Sequence, residues 1–100
     1  SGSTAEVSDS KFSNIIDKAI SVGEGSDVKV SNCKIENVSF GVVSKDLSTT
    51  KVFNNSGITN AKIAAFAAFQ KKSSFGPASI YIRNSTISKS KKISLNVKPK

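Results

Sequence analysis

The feature that most limits what this chain can fold into is a loose repeat with a period of 23 residues. Written in rows of that length, Val7, Val30 and Phe53 fall in one column, and Asp9, Asn32 and Asn55 fall two places on. Ser10, Cys33 and Ser56 follow, then Phe12, Ile35 and Ile58. Asn14, Asn37 and Asn60 make a further column, trailed by Ile15, Val38 and Ala61. Ala19, Val42 and Ala65 align, with Ile20, Val43 and Phe66 beside them. After six extra residues a fourth row places Ile82, Asn84, Ser85 and Ile87 under Val30, Asn32, Cys33 and Ile35. Chemistry persists down each column while the letters drift, which marks a stack of like structural units.

A leucine-rich repeat has a similar period, but the only leucines are Leu47 and Leu95. The rows instead contain short alternations, "VKV" at Val28 to Val30, "IYI" at Ile80 to Ile82 and "ISLNV" at Ile93 to Val97. These are rich in β-branched residues and punctuated by turn formers. The expected fold is all-β: a right-handed parallel β-helix, or solenoid, of about four coils with roughly 23 residues and three short strands in each. At a spacing of about 4.8 Å per coil the stack is roughly 20 Å long. "AKIAAFAAF", Ala61 to Phe69, has helix-forming alanines, but its alignment with "SFGVVSKDL" favours strand.

The columns then have physical causes. Phe12, Ile35, Ile58 and Ile87 are expected to face inward as an apolar ladder. Asn32, Asn55 and Asn84, with Asp9 below them, and Asn14, Asn37 and Asn60 are expected at two bends. Asn tolerates left-handed backbone angles, and stacked amides can bond from coil to coil. Ser10, Cys33, Ser56 and Ser85 mark a place where only a small side chain fits, so Cys33 reads as a packed residue rather than a nucleophile.

Composition excludes several chemistries. One hundred residues make a single small domain. There is no histidine, which removes the commonest general base and zinc ligand. A lone cysteine rules out an intramolecular disulfide and a thiolate metal cluster. The longest apolar run, Ile63 to Phe69, is too short to span a bilayer. "SGS" at Ser1 to Ser3 reads as a cloning scar. Residues 1–4 are thus expected to be tag or disordered, 5–97 a single β-helix domain cut from a larger protein, and 98–100 a basic tail. The net charge of +8 is uneven: all seven carboxylates precede Leu47, and every charged side chain after it is cationic.

The rows resemble the right-handed parallel β-helix repeats of the pectin-lyase-like superfamily, through V-x-V-x-N-x-x-I-x-N-x at Val28 to Val38 and approximately at Lys51 to Ala61. "DKAISVGEGS" at Asp17 to Ser26, "GVVSKDLS" at Gly41 to Ser48 and "FQKKSSFGPASI" at Phe69 to Ile80 look like the β-helical segment of bacterial spore-coat-protein-H-like proteins. That resemblance covers Phe12 to Ile87 and does not extend to the kinase domain that accompanies the segment in those proteins, so it implies no kinase role. It implies an extracellular or cell-surface setting and contact with acidic polysaccharide. The superfamily's lyases and hydrolases use clustered Asp with Arg or Lys. Here the acids are scattered and Arg83 is the single arginine. Enzymatic activity is therefore not expected, and no cofactor or metal is implied.

One edge of the coil differs from the regular wall. It reads "VGEGS" (Val22 to Ser26), "KDLST" (Lys45 to Thr49) and "AFQKK" (Ala68 to Lys72), before the insertion "SSFGPAS". Glu24, Lys45, Asp46, Gln70, Lys71, Lys72 and Phe75 are the candidate binding residues, with Phe75 as a stacking surface for a sugar. The same mixed charge would also serve only to keep the edge soluble and block lateral pairing. The leading reading is a non-catalytic surface or scaffold module binding carbohydrate along this edge. The alternatives are a polysaccharide-cleaving enzyme fragment, and a polyanion or nucleic-acid binder using the lysine-rich second half. Nucleic acid is disfavoured by the single arginine and the lack of interleaved aromatics. The open ends of a short stack, one acidic and one basic, further suggest self-association.

Overall fold

In the computed structural model, which describes residues 2–70 and 76–98, nine strands account for the regular structure. They are β1 (Thr4–Ser8), β2 (Lys11–Val22), β3 (Asp27–Ser31), β4 (Lys34–Ser44), β5 (Thr49–Phe53), β6 (Gly57–Phe69), β7 (Ser79–Ile82), β8 (Thr86–Ser88) and β9 (Ser94–Val97). The protein is all-β, and every strand pair is parallel. The alanine-rich stretch is strand, within β6. Its β-branched and aromatic neighbours, with a partner on each side, outweigh the helical preference of alanine.

The chain alternates between two sheets. One has the order β1-β3-β5-β7, the other β2-β4-β6-β8, with β9 also on β6. From β1 to β8 each strand thus pairs with the next but one in sequence, while β9 joins β6, and the repeat period is the distance along the chain between sheet neighbours. Residue pairs follow it: Val7 with Val30, Phe12 with Ile35, Ile35 with Ile58 and Ile58 with Ile87. Ile35 and Ile58 are buried, while Phe12 and Ile87 pack half-buried against the same cluster. That cluster draws on both sheets, with Val28, Val30 and Val52 from one and Ile35, Val42 and Phe66 from the other.

The period is not uniform, and several expected columns are corrected. Val30 pairs with Val52, and Phe53 with Ser31. Asp27 pairs with Thr49, again an offset of 22. Past irregularities between Ile15 and Lys18 and between Val38 and Phe40, Ile20 pairs with Val42 and Val42 with Phe66; Val43 pairs with Ser21 and Ala67. One row is a residue short there and the next a residue long. The apolar identities are similar at either register, so the sequence pattern does not expose the slip.

Bends occur where asparagine recurs. Asp9, Asn14, Asn32, Asn37, Asn54, Asn55, Asn60 and Asn84 all have φ between 46° and 62°. The short amide side chain makes that left-handed conformation accessible. Stacking adds a second gain. Asn60 Nδ2 donates to Asn37 Oδ1 at 2.7 Å, Asn37 Nδ2 to Asn14 Oδ1 at 3.1 Å and Asn32 Nδ2 to Asp9 Oδ1 at 2.9 Å. Beside the Asn32 bend the Ser/Cys column is tight as expected. Cys33 is fully buried, its backbone N–H donates to Ser56 Oγ at 3.1 Å, and its thiol points to the Ser31 and Val7 carbonyls.

Candidate functional site

The turn edge is built by two four-residue turns. Ser26 N donates to Gly23 O at 3.1 Å and Ser48 N to Lys45 O at 2.8 Å. Gly25 and Leu47 hold the third position of these turns at φ 66° and 61°, a conformation that costs glycine nothing. The turns lie against each other, since Lys45 N donates to Val22 O at 3.0 Å and Gly25 N to Asp46 O at 2.9 Å. Leu47 N donates onward to Gly76 O at 3.2 Å. In the next row Ala68 pairs with Ser44, two residues ahead of Gln70 as Ser44 is ahead of Asp46.

The structure therefore brings Glu24, Lys45, Asp46 and Gln70 onto successive rows, but not onto one surface. Glu24 is exposed, and Lys45 and Gln70 are half-buried. Asp46 is 0% exposed, so a ligand on the outside of the edge does not reach it. Beneath the second turn the hydroxyls of Ser44, Ser48 and Thr50 form a buried set: Thr50 Oγ1 donates to Ser44 Oγ at 3.0 Å, Ser44 and Ser48 share a bond, and Ser48 Oγ donates to Lys45 O. These bonds fasten the turn to the interior and leave those hydroxyls no outward role. Lys71, Lys72 and Phe75 lie outside the described residues. Beside Gln70 a shallow depression is lined by Phe69, Pro77, Asn96 and Lys98.

A second surface was not singled out by the sequence reading. On the first sheet Val28, Val30, Thr50 and Val52 are buried, so the residues between them face outward. The register sets Glu6 beside Lys29, Lys29 beside Lys51 and Lys51 beside Tyr81. All four are exposed, and Tyr81 presents 57% of its surface. Neighbouring strands lie about 4.8 Å apart. Two lysines thus stand side by side on a flat face, flanked by an open aromatic ring, although adjacent like charges disfavour the pairing. The 22-residue offset of β3 and β5 aligns Lys29 with Lys51; the uniform 23-residue offset of the sequence pattern separates them and so conceals the pair.

Among the described residues no group of three or more His, Cys, Asp and Glu side chains is arranged to hold a metal ion. Among the described residues, surface ion pairs join Lys18 to Asp17 at 3.1 Å and Lys11 to Glu36 at 3.9 Å. Among the described residues no helix is long and apolar enough to cross a membrane. Comparison of the chain with protein-family models, with curated proteins and with solved structures gives no match.

Proposed function

We propose that the chain is a non-catalytic scaffold module that binds an acidic polysaccharide on the outer face of its first sheet. The observation that carries this reading is the stacked pair Lys29 and Lys51 beside Tyr81. Sugar rings stack on exposed aromatic faces, and lysines meet carboxylates or sulfates. The strand spacing of about 4.8 Å is close to the rise of one pyranose in an extended chain. Successive sugars would therefore meet successive strands. A rigid parallel wall suits that role, because the cations are held in place before the ligand arrives.

The two sheets are read as walls of one right-handed parallel β-helix of the pectin-lyase-like kind. Alternation between the sheets from β1 to β8, next-but-one pairing along that run and left-handed Asn at recurring bends support that winding, as does the strong preference of parallel crossovers for right-handedness. The depression beside Gln70 supports a second reading, in which sugar sits at the turn edge.

The test is titration of a polyuronate, a neutral glucan and duplex DNA at two ionic strengths. Polyuronate binding is expected to fall about tenfold in Lys29→Ser/Lys51→Ser and to weaken in Tyr81→Ala, with Lys45→Ser/Gln70→Ala unchanged. Loss only in the edge variant moves the site to the turn. Equal binding of DNA and polyuronate, with the same salt slope, replaces the carbohydrate reading with general polyanion binding. Release of reducing ends or unsaturated products would overturn the non-catalytic part.

A further inference from the structure

Each sheet ends in open edges. The order β1-β3-β5-β7 leaves one side of β1 and one side of β7 without a strand partner among the described residues; β2 stands likewise at the head of the second sheet and β8 and β9 at its tail. From the pattern of pairing we infer that a second copy of this chain seats head-to-tail on these edges, with its β1 on β7 and its β2 on β8.

The columns themselves give the register. Val7, Val30, Val52 and Ile82 form one run of neighbours, and Phe12, Ile35, Ile58 and Ile87 another. Continued by one place, they put Val7 of the second copy on Ile82 and its Phe12 on Ile87. All four are incompletely buried here, and Ile82 is 40% exposed. A further exposed group, Ile93 at 62%, lies with Ile80, Ile82 and Leu95 around a hollow open at this end. The junction would bury apolar surface at both ends and satisfy the free backbone groups of two parallel strands.

Charge selects the orientation. Residues 2–26, which supply the leading edge, carry Glu6, Asp9, Asp17 and Glu24 against Lys11 and Lys18. Residues 76–98, which supply the trailing edge, carry Arg83, Lys89, Lys91, Lys92 and Lys98 and no carboxylate. Continuation of the columns sets Glu6 of the second copy on Tyr81, beside Arg83, and its Asp9 near Asn84. Head-to-head and tail-to-tail contacts would bring like charges together. Such an interface is heterologous and does not close on itself, so it generates short linear stacks.

The experiment is sedimentation of the full chain across concentration at low and high salt, with Glu6→Lys and Arg83→Glu, both at exposed positions, checked for native circular dichroism. The unaltered chain is expected to form concentration-dependent oligomers that dissociate as salt is raised. Each variant alone should associate about tenfold more weakly, because like charges then face each other across the junction. Mixed together, they should recover association as alternating stacks, since the unaltered Glu6 of one meets the unaltered Arg83 of the other at one junction and the two introduced charges, opposite in sign, meet at the next. A chain that stays monomeric throughout overturns the inference and leaves these edges to a partner of another kind. So does a dimer that both variants leave intact, or a mixture no stronger than its components. Polysaccharide binding by Lys29 and Lys51 is read separately and stands or falls without it.

Discussion

Asn60 donates its side-chain amide to the side-chain oxygen of Asn37, which lies 23 residues earlier and shares its left-handed backbone. Asn37 in turn donates to Asn14. One residue type thus answers two needs: a bend that most side chains resist, and an outward polar group that finds a like neighbour one row away. Replacing Asn37 with Ala should remove both bonds and impose the left-handed conformation on a Cβ that lacks local compensation. The expected loss is about 2 kcal/mol in urea unfolding, against about 1 kcal/mol for Asn37→Gly, which keeps the backbone permissive. Equal losses for the two would show that the backbone conformation contributes nothing.

The buried ladder sets a second expectation. Ile58 stands between Ile35 and Ile87 and is 2% exposed. Ile58→Ala should cost about 3 kcal/mol through lost burial and a cavity that parallel strands on both sides cannot close. Ile16, at 92% exposed, is the control: Ile16→Ala should stay within about 0.5 kcal/mol. Thermal unfolding of the pair in parallel checks the contrast.

Gly41 is required by close approach rather than by its backbone angle. A Cβ added there would lie 2.5 Å from the Ala65 carbonyl oxygen and 2.9 Å from Ile58 Cδ1. The first obstacle is backbone in a neighbouring strand and does not yield readily. Gly41→Ala should therefore destabilise by about 2 kcal/mol despite the usual entropic benefit of losing a glycine. A stabilised variant, measured by denaturant midpoint, would contradict that packing.

Cys33 is enclosed and lies in a column of serines. The native chain should not react with an aromatic disulfide reagent, and should react fully with it in denaturant. Cys33→Ser should lie within about 1 kcal/mol of the parent, because the hydroxyl can donate to the same Ser31 or Val7 carbonyl. Cys33→Leu should cost several times more, as the site has no spare volume.

Much of this is legible from residues alone. The pairs Phe12 with Ile35 and Ile35 with Ile58 follow from column chemistry, because a parallel stack demands like side chains one period apart. The Asn bends follow from a short polar side chain that tolerates φ near 55°. The binding surface was less legible. Glu24, Lys45 and Asp46 fall on adjacent rows as the pattern implies, yet Asp46 is buried, and nothing in "KDLST" distinguishes a buried carboxylate from an exposed one. The Lys29 and Lys51 pair is hidden by a period one residue shorter than its neighbours.

The sequence by itself therefore determined the β class, the repeat, the inward ladder and the bends, since each rests on the intrinsic preference of a side chain for burial or for a backbone angle. The tertiary structure alone decided the local register, and with it which outward groups stand together. An irregularity that adds or removes one residue changes little in the energy of similar apolar columns, so it leaves no mark in the pattern. Its effect on the outer face is large: it sets Lys51 beside Lys29 and seats Tyr81 next in line.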